Sequence, residues 1–401
     1  MKKYQLIAVA AVALYISSCQ SAGNTQQTNT DSATSVVNLA LVTKDVPFPV
    51  EAKMAPGDTS TLYIAALGGK IFMMKNGQLL PKPFFDMSDK LENKDSSAAA
   101  RAMFSFTFDP AFATNHKFYV SYNAPTTIDS NKCKLVISQF EADAGNPASA
   151  NTATEKRIIS IEGHSIWQDA DELTFGPDGY LYIDIGDNGT PMKEREGENL
   201  NSYLGKLLRI DVHSLPYTIP ADNPFVHTKG AKPEIWAYGL RRLWRFGYDS
   251  IQHVFIGGDV GDKMEEEIDT LTKGGNYGWP YMEGDTAKVG KDSLPTNLVA
   301  PLLTYHRKDG ICIIGGVYYH GSEIPFLQNK YVFADYNGTL YYVVQDAGKP
   351  WTKQQLTVKD KLEFPFIINS CDTGPGNEIY LCGVLNTGKN TQGAVYKITA
   401  N

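Results

Sequence analysis

The sequence lacks the features that mark three large classes of proteins. Its 37 lysines and arginines are outnumbered by 44 aspartates and glutamates, so no basic surface is expected and nucleic acid is not an expected partner. It holds 5 cysteines in 401 residues, without the spacing of a metal site or a haem attachment motif. No apolar run is long enough to cross a membrane as a helix. These absences leave a folded, weakly acidic domain with a formal net charge of -7.

The first 19 residues predict an export signal. Lys2 and Lys3 form a basic start, an apolar run follows, and Ile-Ser-Ser-Cys at 16–19 matches a bacterial lipobox. In this interpretation Cys19 is acylated and becomes the first mature residue, so the lipid anchor is the only attachment to a membrane. The residues after it favour the outer membrane or a site facing the periplasm. An ordinary secretory signal with a chance cysteine is the alternative.

A polar tether and one large domain are predicted after the signal. Residues 20–36 are rich in Ser, Thr, Asn and Gln and hold too little apolar surface to fold. Residues 37–401 have the composition of a globular domain and contain no second linker. Four cysteines fall in this domain, and an exported protein permits either disulfides or buried thiols for them: Cys133, Cys312, Cys371 and Cys382.

Strand patterns dominate the domain, and helical periodicity is nearly absent. Six times a short run of aromatic and β-branched residues is followed by a turn and usually a second run. These units are residues 62–74, 117–140, 180–210, 253–271, 330–344 and 378–398. Strand–turn–strand units repeated at this spacing indicate the blades of a β-propeller, and a β-sandwich is the alternative that the pattern leaves open.

The chemically richest stretch covers residues 237–284. It holds Gly-Leu-Arg-Arg, a Gly-Asp-Val-Gly turn, an acidic cluster and Gly-Gly-Asn-Tyr-Gly-Trp-Pro. The order and spacing of these pieces closely resemble the glucose/sorbosone dehydrogenase family, and so do Phe-Gly-Pro-Asp-Gly at 175–179 and Gly-Lys-Leu-Leu-Arg-Ile-Asp at 205–211. The resemblance implies an all-β, six-bladed β-propeller that oxidises aldose sugars with pyrroloquinoline quinone (PQQ).

The resemblance also assigns roles to residues of this stretch. Arg241 matches the arginine that addresses the quinone, where it would stabilise developing negative charge. The backbone of Gly261 and Asp262 matches the turn that binds PQQ and holds the cofactor calcium. Glu267 and the carbonyl of Tyr277 match a separate structural calcium site, and calcium prefers such oxygen ligands.

The family pattern breaks at the position of its catalytic histidine, which holds Gln168. A glutamine cannot act as a general base, so a catalytic role at this position would have to differ from the family's. Three nearby residues are candidate replacements: His164, Asp169 and Asp171. His164 would need a local shift of the loop, and its alternative role is that of a surface residue. The aspartates are alternatively solvated loop residues or calcium ligands.

Two arginines replace residues that are neutral or acidic in the family. Arg101 and Arg242 join Arg241 and Arg245, so the resemblance predicts a more cationic cofactor pocket than its relatives have. Guanidinium groups pair with carboxylates through two parallel hydrogen bonds. We therefore expect PQQ in an altered pose, or an anionic saccharide such as a uronate, unless either arginine turns outward or pairs with a neighbouring acid.

Two functions follow from these observations. The first is a PQQ-dependent sugar dehydrogenase with a rearranged base, which passes electrons to a separate acceptor because no fused cytochrome motif is present. The second is a non-catalytic propeller of the cell envelope that binds a sugar or an anionic ligand. The arginine and the calcium elements favour the enzyme, and Gln168 favours the binding protein. No feature argues for a scaffold of protein partners.

Overall fold

Six sheets follow one another along the chain in the computed structural model, and they form a six-bladed β-propeller. Their strands pair antiparallel, apart from one parallel pair at the edge of the last sheet. The model describes residues 35–91, 102–126, 132–165, 172–388 and 390–401. The predicted fold class is thus confirmed, and the sandwich alternative is wrong. Each of the six predicted units corresponds to the second and third strands of one blade. The signal and most of the tether lie outside the described residues, and β1 begins at Val36.

The first three blades are built from consecutive strands. Blade 1 comprises β2 (Pro49–Lys53), β3 (Thr61–Ala66), β4 (Lys70–Lys75), β5 (Gln78–Leu79) and β6 (Phe85–Asp86). Blade 2 comprises β7 (Met103–Phe108), β8 (Lys117–Ala124), β9 (Lys132–Asp143), β10 (Asn146–Ala150) and β11 (Lys156–Ser165). Blade 3 comprises β12 (Leu173–Phe175), β13 (Leu181–Ile185), β14 (Lys206–Ile210) and β15 (Ile235–Tyr238).

The next two blades repeat this plan. Blade 4 comprises β16 (Leu243–Asp249), β17 (Val254–Asp259), β18 (Glu265–Leu271) and β21 (Leu303–His306), with the hairpin β19 (Met282–Glu283) and β20 (Thr286–Ala287) inserted before its last strand. Blade 5 comprises β22 (Ile313–Tyr318), β23 (Tyr331–Asp335), β24 (Leu340–Val344) and β25 (Thr352–Gln355).

Blade 6 joins the two ends of the described domain. It comprises β27 (Phe366–Thr373), β28 (Ile379–Asn386), β29 (Thr391–Ala400), β1 (Val36–Thr43) and β26 (Thr357–Val358). Strand β1 pairs antiparallel with β29, so that Val37 lies opposite Ala400 and Leu39 opposite Ile398. Backbone hydrogen bonds between the first and last strands therefore close the ring.

Helices are short and lie between strands. The α-helices are α1 (Ser88–Leu91) and α2 (Phe112–Asn115), and the 3-10 turns are Thr152–Thr154, Met192–Glu194, Glu196–Glu198, Lys291–Ser293, Pro325–Leu327 and Pro375–Asn377. Within the described ranges, no helix has the length and apolarity needed to cross a membrane.

Apolar side chains between neighbouring blades hold the ring together. Between blades 1 and 2, the rings of Tyr63 and Phe108 meet edge to face at 4.8 Å, and Phe84 packs on Phe118 at 5.1 Å. Aromatic pairs of this kind contribute about 0.5–1.5 kcal/mol each beyond the burial of their area. The first strand of each blade packs against the first strands of its neighbours, as β27 does against β2 and β22. These six innermost strands line the central channel.

Candidate functional site

Four of the predicted site residues lie at one end of the propeller. In each antiparallel blade, the start of the innermost strand and the loop between the second and third strands lie at the same end. Arg241 and Arg242 directly precede β16, and Gly261 and Asp262 lie in the turn between β17 and β18. The fold thus brings these four residues to one rim of the channel, in blade 4.

Arg241 is fixed against the turn of its own blade. Its Nη1 donates hydrogen bonds to the carbonyls of Val260 and Gly261, both at 2.8 Å. Its guanidinium lies 5.4 Å from the ring of Trp279, and its backbone N–H donates to Asp259. Its Nε is buried and has no hydrogen-bond partner among the described residues. Arg241 therefore presents a positively charged group with an unused donor at this rim.

Gly261 is required for the shape of this turn. A Cβ at this position would lie 1.6 Å from the carbonyl oxygen of Glu265, so no other residue fits without moving the backbone. The Glu283 carboxylate accepts from the backbone N–H groups of Asp262 and Lys263 at 2.8 and 2.7 Å. Burial opposes the ionisation of Glu283, but the amides of Met264 and Lys263 and the Lys288 ammonium outweigh it and lower its pKa to about 2.

Arg242 points away from Arg241, toward blade 5. Its guanidinium lies 4.3 Å from the ring of Trp244, and its positive charge reaches Cys312 and Tyr336. Burial raises the pKa of the Cys312 thiol, which disfavours its reactive thiolate form. Arg242 thus places a second positive charge at the rim, on the side toward blade 5 and away from Arg241.

A cluster of three buried carboxylates lies beside the turn. Asp259, Glu267 and Asp269 each offer an oxygen atom within 4.8 Å of the others. Glu267 and Asp269 share one face of β18, and Asp259 is the cross-strand neighbour of Glu267. Burial and then the neighbouring acids raise the pKa values of Glu267 and Asp269 well above their usual range. Neither carboxylate oxygen of Asp269 has a hydrogen-bond partner among the described residues.

This cluster has the chemistry of a calcium site. Buried, unpaired carboxylates are costly unless a cation or a proton neutralises them, and calcium is bound by oxygen ligands. Tyr277 packs close by, since the charge of Asp269 contributes to its raised pKa. The cluster contains the predicted ligand Glu267. Asp259 and Asp269 were not predicted as its partners, although positions 267 and 269 alternate on one strand and so share a face.

Asp187 is a second group that the sequence analysis missed. Its Oδ2 accepts from Trp279 Nε1 at 2.7 Å and its Oδ1 from the N–H of Gly189 at 2.9 Å. Burial raises its pKa, and the nearby positive charge of Arg241 opposes that rise. A buried carboxylate next to Arg241 is a stronger base than a solvated aspartate. The sequence signal that could have identified Asp187 is its position in a Gly-Asp pair directly after a predicted strand.

Arg245 lies in the central channel rather than beside the ligand rim where the sequence analysis expected it. Its Nη1 is 3.7 Å from Glu51 Oε1 and 3.5 Å from Glu172 Oε2. Lys53 forms ion pairs with the same two glutamates. Asp372 completes a buried group of five charged residues, and burial raises its pKa to about 7. Arg245 therefore binds other blades and does not enlarge the cationic pocket.

Several predicted residues lie outside the described part of the chain. They are Cys19, Arg101, Gln168, Asp169 and Asp171. His164 is placed in β11. The four cysteines of the domain are free thiols in the structure, and three of them are buried.

Comparison with known proteins gives one family and a consistent fold. The model of the family described as Glucose / Sorbosone dehydrogenase matches residues 49–389. HIPL1 protein of Arabidopsis thaliana is 29% identical over 383 residues, covering 80% of this chain and 54% of that protein. Hedgehog-interacting protein of Mus musculus is 25% identical over 371 residues, covering 88% and 49%. This chain spans about half the length of these curated relatives.

Solved structures share the propeller. The soluble aldose sugar dehydrogenase of Escherichia coli in the apo form superposes with a TM-score of 0.73 at 20% identity, covering 91% of this chain and 100% of that one. The PQQ-bound form of aldose sugar dehydrogenase from Streptomyces coelicolor gives 0.66 at 15% identity, covering 91% and 99%. At such identities these structures establish the fold.

Proposed function

We propose that this chain, which belongs to the glucose/sorbosone dehydrogenase family, oxidises a saccharide at its C1 carbon with PQQ as the electron acceptor. The observation that carries the proposal is Arg241, whose guanidinium is held at the channel rim with a buried N–H that lacks a partner among the described residues. The PQQ-bound relative of the same fold supports the choice of cofactor.

The residues of the rim suit a flat, anionic quinone. PQQ carries carboxylates, which guanidinium groups bind well, and its quinone oxygens accept hydrogen bonds. Arg241 and Arg242 would bind the cofactor from two sides, and the ring of Trp279 would form one wall that excludes water. When bound, PQQ supplies a two-electron acceptor for the hydride of the sugar C1.

The proton of the C1 hydroxyl needs a base on this chain. Gln168 cannot supply one, so Asp169 or Asp187 would take the proton. Asp187 has the advantage of a raised pKa and of a position fixed by its hydrogen bond from Trp279. We expect Asp187→Asn or Asp169→Asn to lower kcat at saturating sugar by about 100-fold with PQQ uptake unchanged, which identifies the base.

Calcium is proposed for the carboxylate cluster of Asp259, Glu267 and Asp269, where it would stabilise the fold. The Tyr277 carbonyl would add an oxygen ligand. This role is structural, because Glu267 and Asp269 are held on β18 within blade 4 and the metal would tie this strand to its neighbours.

The test is to load the purified protein with PQQ and measure reduction of an artificial electron acceptor with a panel of neutral and anionic aldoses. We expect cofactor absorption, sugar-dependent dye reduction, and at least a tenfold loss of both in Arg241→Met. Lys193→Met, at an exposed position, is the matched control. Uptake of PQQ by neither wild type nor control would contradict the proposal.

A binding protein without redox chemistry is the second candidate. Gln168 at the histidine position favours it, as does the similarity to a protein named for its interaction with Hedgehog. Calorimetry that detects a saccharide, with no dye reduction in the presence of PQQ, would select this function. In either case we propose an exported lipoprotein, anchored through Cys19, whose electrons would leave through a separate acceptor if it is an enzyme.

A further inference from the structure

The turn between β17 and β18 directs its carbonyl groups toward the channel rim. Its backbone N–H groups are already used, since those of Asp262, Lys263 and Met264 all donate to one carboxylate oxygen of Glu283 at 2.6–2.8 Å. With the amides fixed on one side, the carbonyls face the other. The sequence resemblance gives two of these carbonyls, at positions 261 and 262, to a cofactor calcium.

Both carbonyls accept hydrogen bonds from arginines in this chain. Arg241 Nη1 lies 2.8 Å from the oxygen of Gly261, and Arg307 Nη1 lies 3.1 Å from the oxygen of Asp262. Each carbonyl thus accepts from a guanidinium at one of its two lone pairs and has a positive charge beside it. Arg307 belongs to the segment between β21 and β22, so two separate parts of the chain converge on the turn.

Arg307 is tied in place by a buried partner. Its Nη2 lies 3.0 Å from Glu266 Oε1, and the same nitrogen donates to the carbonyl of Ile311. Glu266 is fully buried, and its other oxygen accepts from the N–H of Ile313 at 2.9 Å. Removing Arg307 from the turn would leave the Glu266 carboxylate buried without its counter-charge, which is strongly unfavourable.

The charges around the turn do not fit a calcium ion. Calcium takes six to eight oxygen ligands, usually with carboxylates among them. The carboxylate of the turn itself, Asp262, lies 3.9 Å from Arg241 and 3.7 Å from Lys288. A divalent cation at the two carbonyls would therefore lie beside Arg241, Arg307 and Lys288. The acids at the turn are already paired, Asp262 and Glu283 with Lys288 and Glu266 with Arg307. Asp259, Glu267 and Asp269 offer the cation a buried anionic site nearby.

We propose that Arg241 and Arg307 take the place of calcium at the Gly261–Asp262 turn, so that this chain binds its quinone cofactor through guanidinium groups without a metal there. The inference rests on the proposed function for the identity of the cofactor. A guanidinium keeps its charge at every physiological pH and can donate two parallel hydrogen bonds to a carboxylate. Arg307 becomes a cofactor-binding residue on this basis.

The experiment counts calcium and titrates PQQ separately. Calcium bound per chain is measured in wild type and in the double variant Glu267→Gln/Asp269→Asn, which removes two oxygens of the carboxylate cluster. We expect one calcium in wild type and none in the double variant. Calcium retained in a folded double variant would overturn the proposal. Should that variant not fold, two calcium ions in wild type would overturn it and one would support it.

PQQ affinity is then measured by calorimetry with a chelator and with added calcium. We expect wild-type dissociation constants that agree within twofold, and at least tenfold weaker binding in Arg307→Met, with Lys308→Met as the exposed neighbouring control. Arg307→Lys keeps a counter-charge for Glu266 but cannot donate two parallel hydrogen bonds to a carboxylate, so it should fold and show the same direction of change. Loss of PQQ binding on chelation, or an unchanged affinity in Arg307→Met, would overturn the inference. If PQQ fails to bind under every condition, the proposed function is wrong, and the calcium count alone decides the inference.

Discussion

Glu51 of blade 1 and Arg245 of blade 4 meet across the central channel, with Glu51 Oε1 and Arg245 Nη1 3.7 Å apart. Both side chains are buried, and Arg245 also donates to the carbonyl of Val50 at 2.6 Å. The pair connects blades that are not neighbours in the ring. Charged side chains therefore fill the central channel, a space that could hold water in a propeller of this size.

Arg245→Met should destabilise the fold by about 3–5 kcal/mol, because it leaves Glu51 and Glu172 buried with Lys53 as their remaining counter-charge. Denaturant unfolding monitored by tryptophan fluorescence measures the loss. The control is Lys349→Met, which breaks the exposed pair with Asp346 and should cost less than about 1 kcal/mol. Equal effects of the two substitutions would show that the channel charges do not stabilise the ring.

Stability should fall as pH rises from about 5 to 7. Burial raises the pKa of Asp372 to about 7, with the charge of Glu51 adding to the rise and that of Arg245 opposing it. The folded protein thus keeps a proton on Asp372 that the unfolded chain loses near its ordinary pKa of 3.8. Because the folded state binds more protons in this window, Asp372 alone lowers the free energy of unfolding by up to about 1 kcal/mol per pH unit, and its contribution levels off above pH 7. Glu266, whose pKa burial raises to about 7, adds to the fall in the same direction.

Melting curves at pH 5, 6, 7 and 8 measure this slope. Asp372→Asn should make the slope shallower, because Glu266 still contributes to it, whereas Asp346→Asn, at an exposed position, should leave it unchanged. The carboxylates whose pKa values are lowered, such as Glu51 and Glu283, stabilise the fold throughout this range and lose their effect only in more acidic solution. A slope of the opposite sign would contradict the buried, protonated state of Asp372.

Chelation of calcium should lower the melting temperature if the carboxylate cluster is a metal site. Binding to the folded state alone stabilises it by about 2.7 kcal/mol at a calcium concentration 100 times the dissociation constant. Glu267→Gln should remove most of this sensitivity, and Glu363→Gln, on the surface, should not. Superimposable melting curves with chelator and with calcium would dismiss the site.

Arg242→Asn should weaken anionic ligands more than neutral ones. We expect at least tenfold weaker binding of PQQ or glucuronate, and little change for glucose, because a neutral aldose gains little from a guanidinium. Calorimetric titration of the three ligands against wild type and variant gives the comparison. Equally weak binding of all three, unaffected by the substitution, would leave the cationic rim without support.

Cys19→Ser should abolish lipidation and release the protein into the soluble fraction of the cell envelope, because the anchor is the expected attachment to a membrane. Fractionation and mass spectrometry of the mature N-terminus measure this change. Ser18→Ala, next to the cysteine, is the control and should leave the protein with the membrane. Membrane association that persists in Cys19→Ser would rule out the lipoprotein.

The sequence predicted the middle strands of every blade but not the innermost ones. The middle strands carry apolar residues on the faces packed between blades, as Leu181 and Ile183 do on β13, and so they show the expected pattern. An innermost strand such as β2 reads Pro-Val-Glu-Ala-Lys, because Glu51 and Lys53 face charged partners in the channel. Their partners Arg245 and Glu172 lie on other blades, and one sequence contains no sign of this proximity.

Only part of the site could be predicted from the sequence, and the reason is similar. Arg241 and Glu267 were identified from short motifs, and the structure places both in blade 4. Arg307 and Asp187 were not, since each acts through contacts with distant segments: Arg307 with Glu266 and Asp187 with Trp279. Three-dimensional proximity, rather than residue type, makes these two residues chemically relevant.

The pairing of β1 with β29 has a consequence for how the protein is made. Blade 6 needs Val36–Thr43 and Thr391–Ala400 in the same sheet, so the ring cannot close until nearly the whole chain has been synthesised. Contacts between segments so far apart in sequence form late and slow the final step of folding. If the protein is exported as proposed, a chain whose ring stays open until its last strand has formed could pass through an export channel unfolded and close the ring on the far side of the membrane.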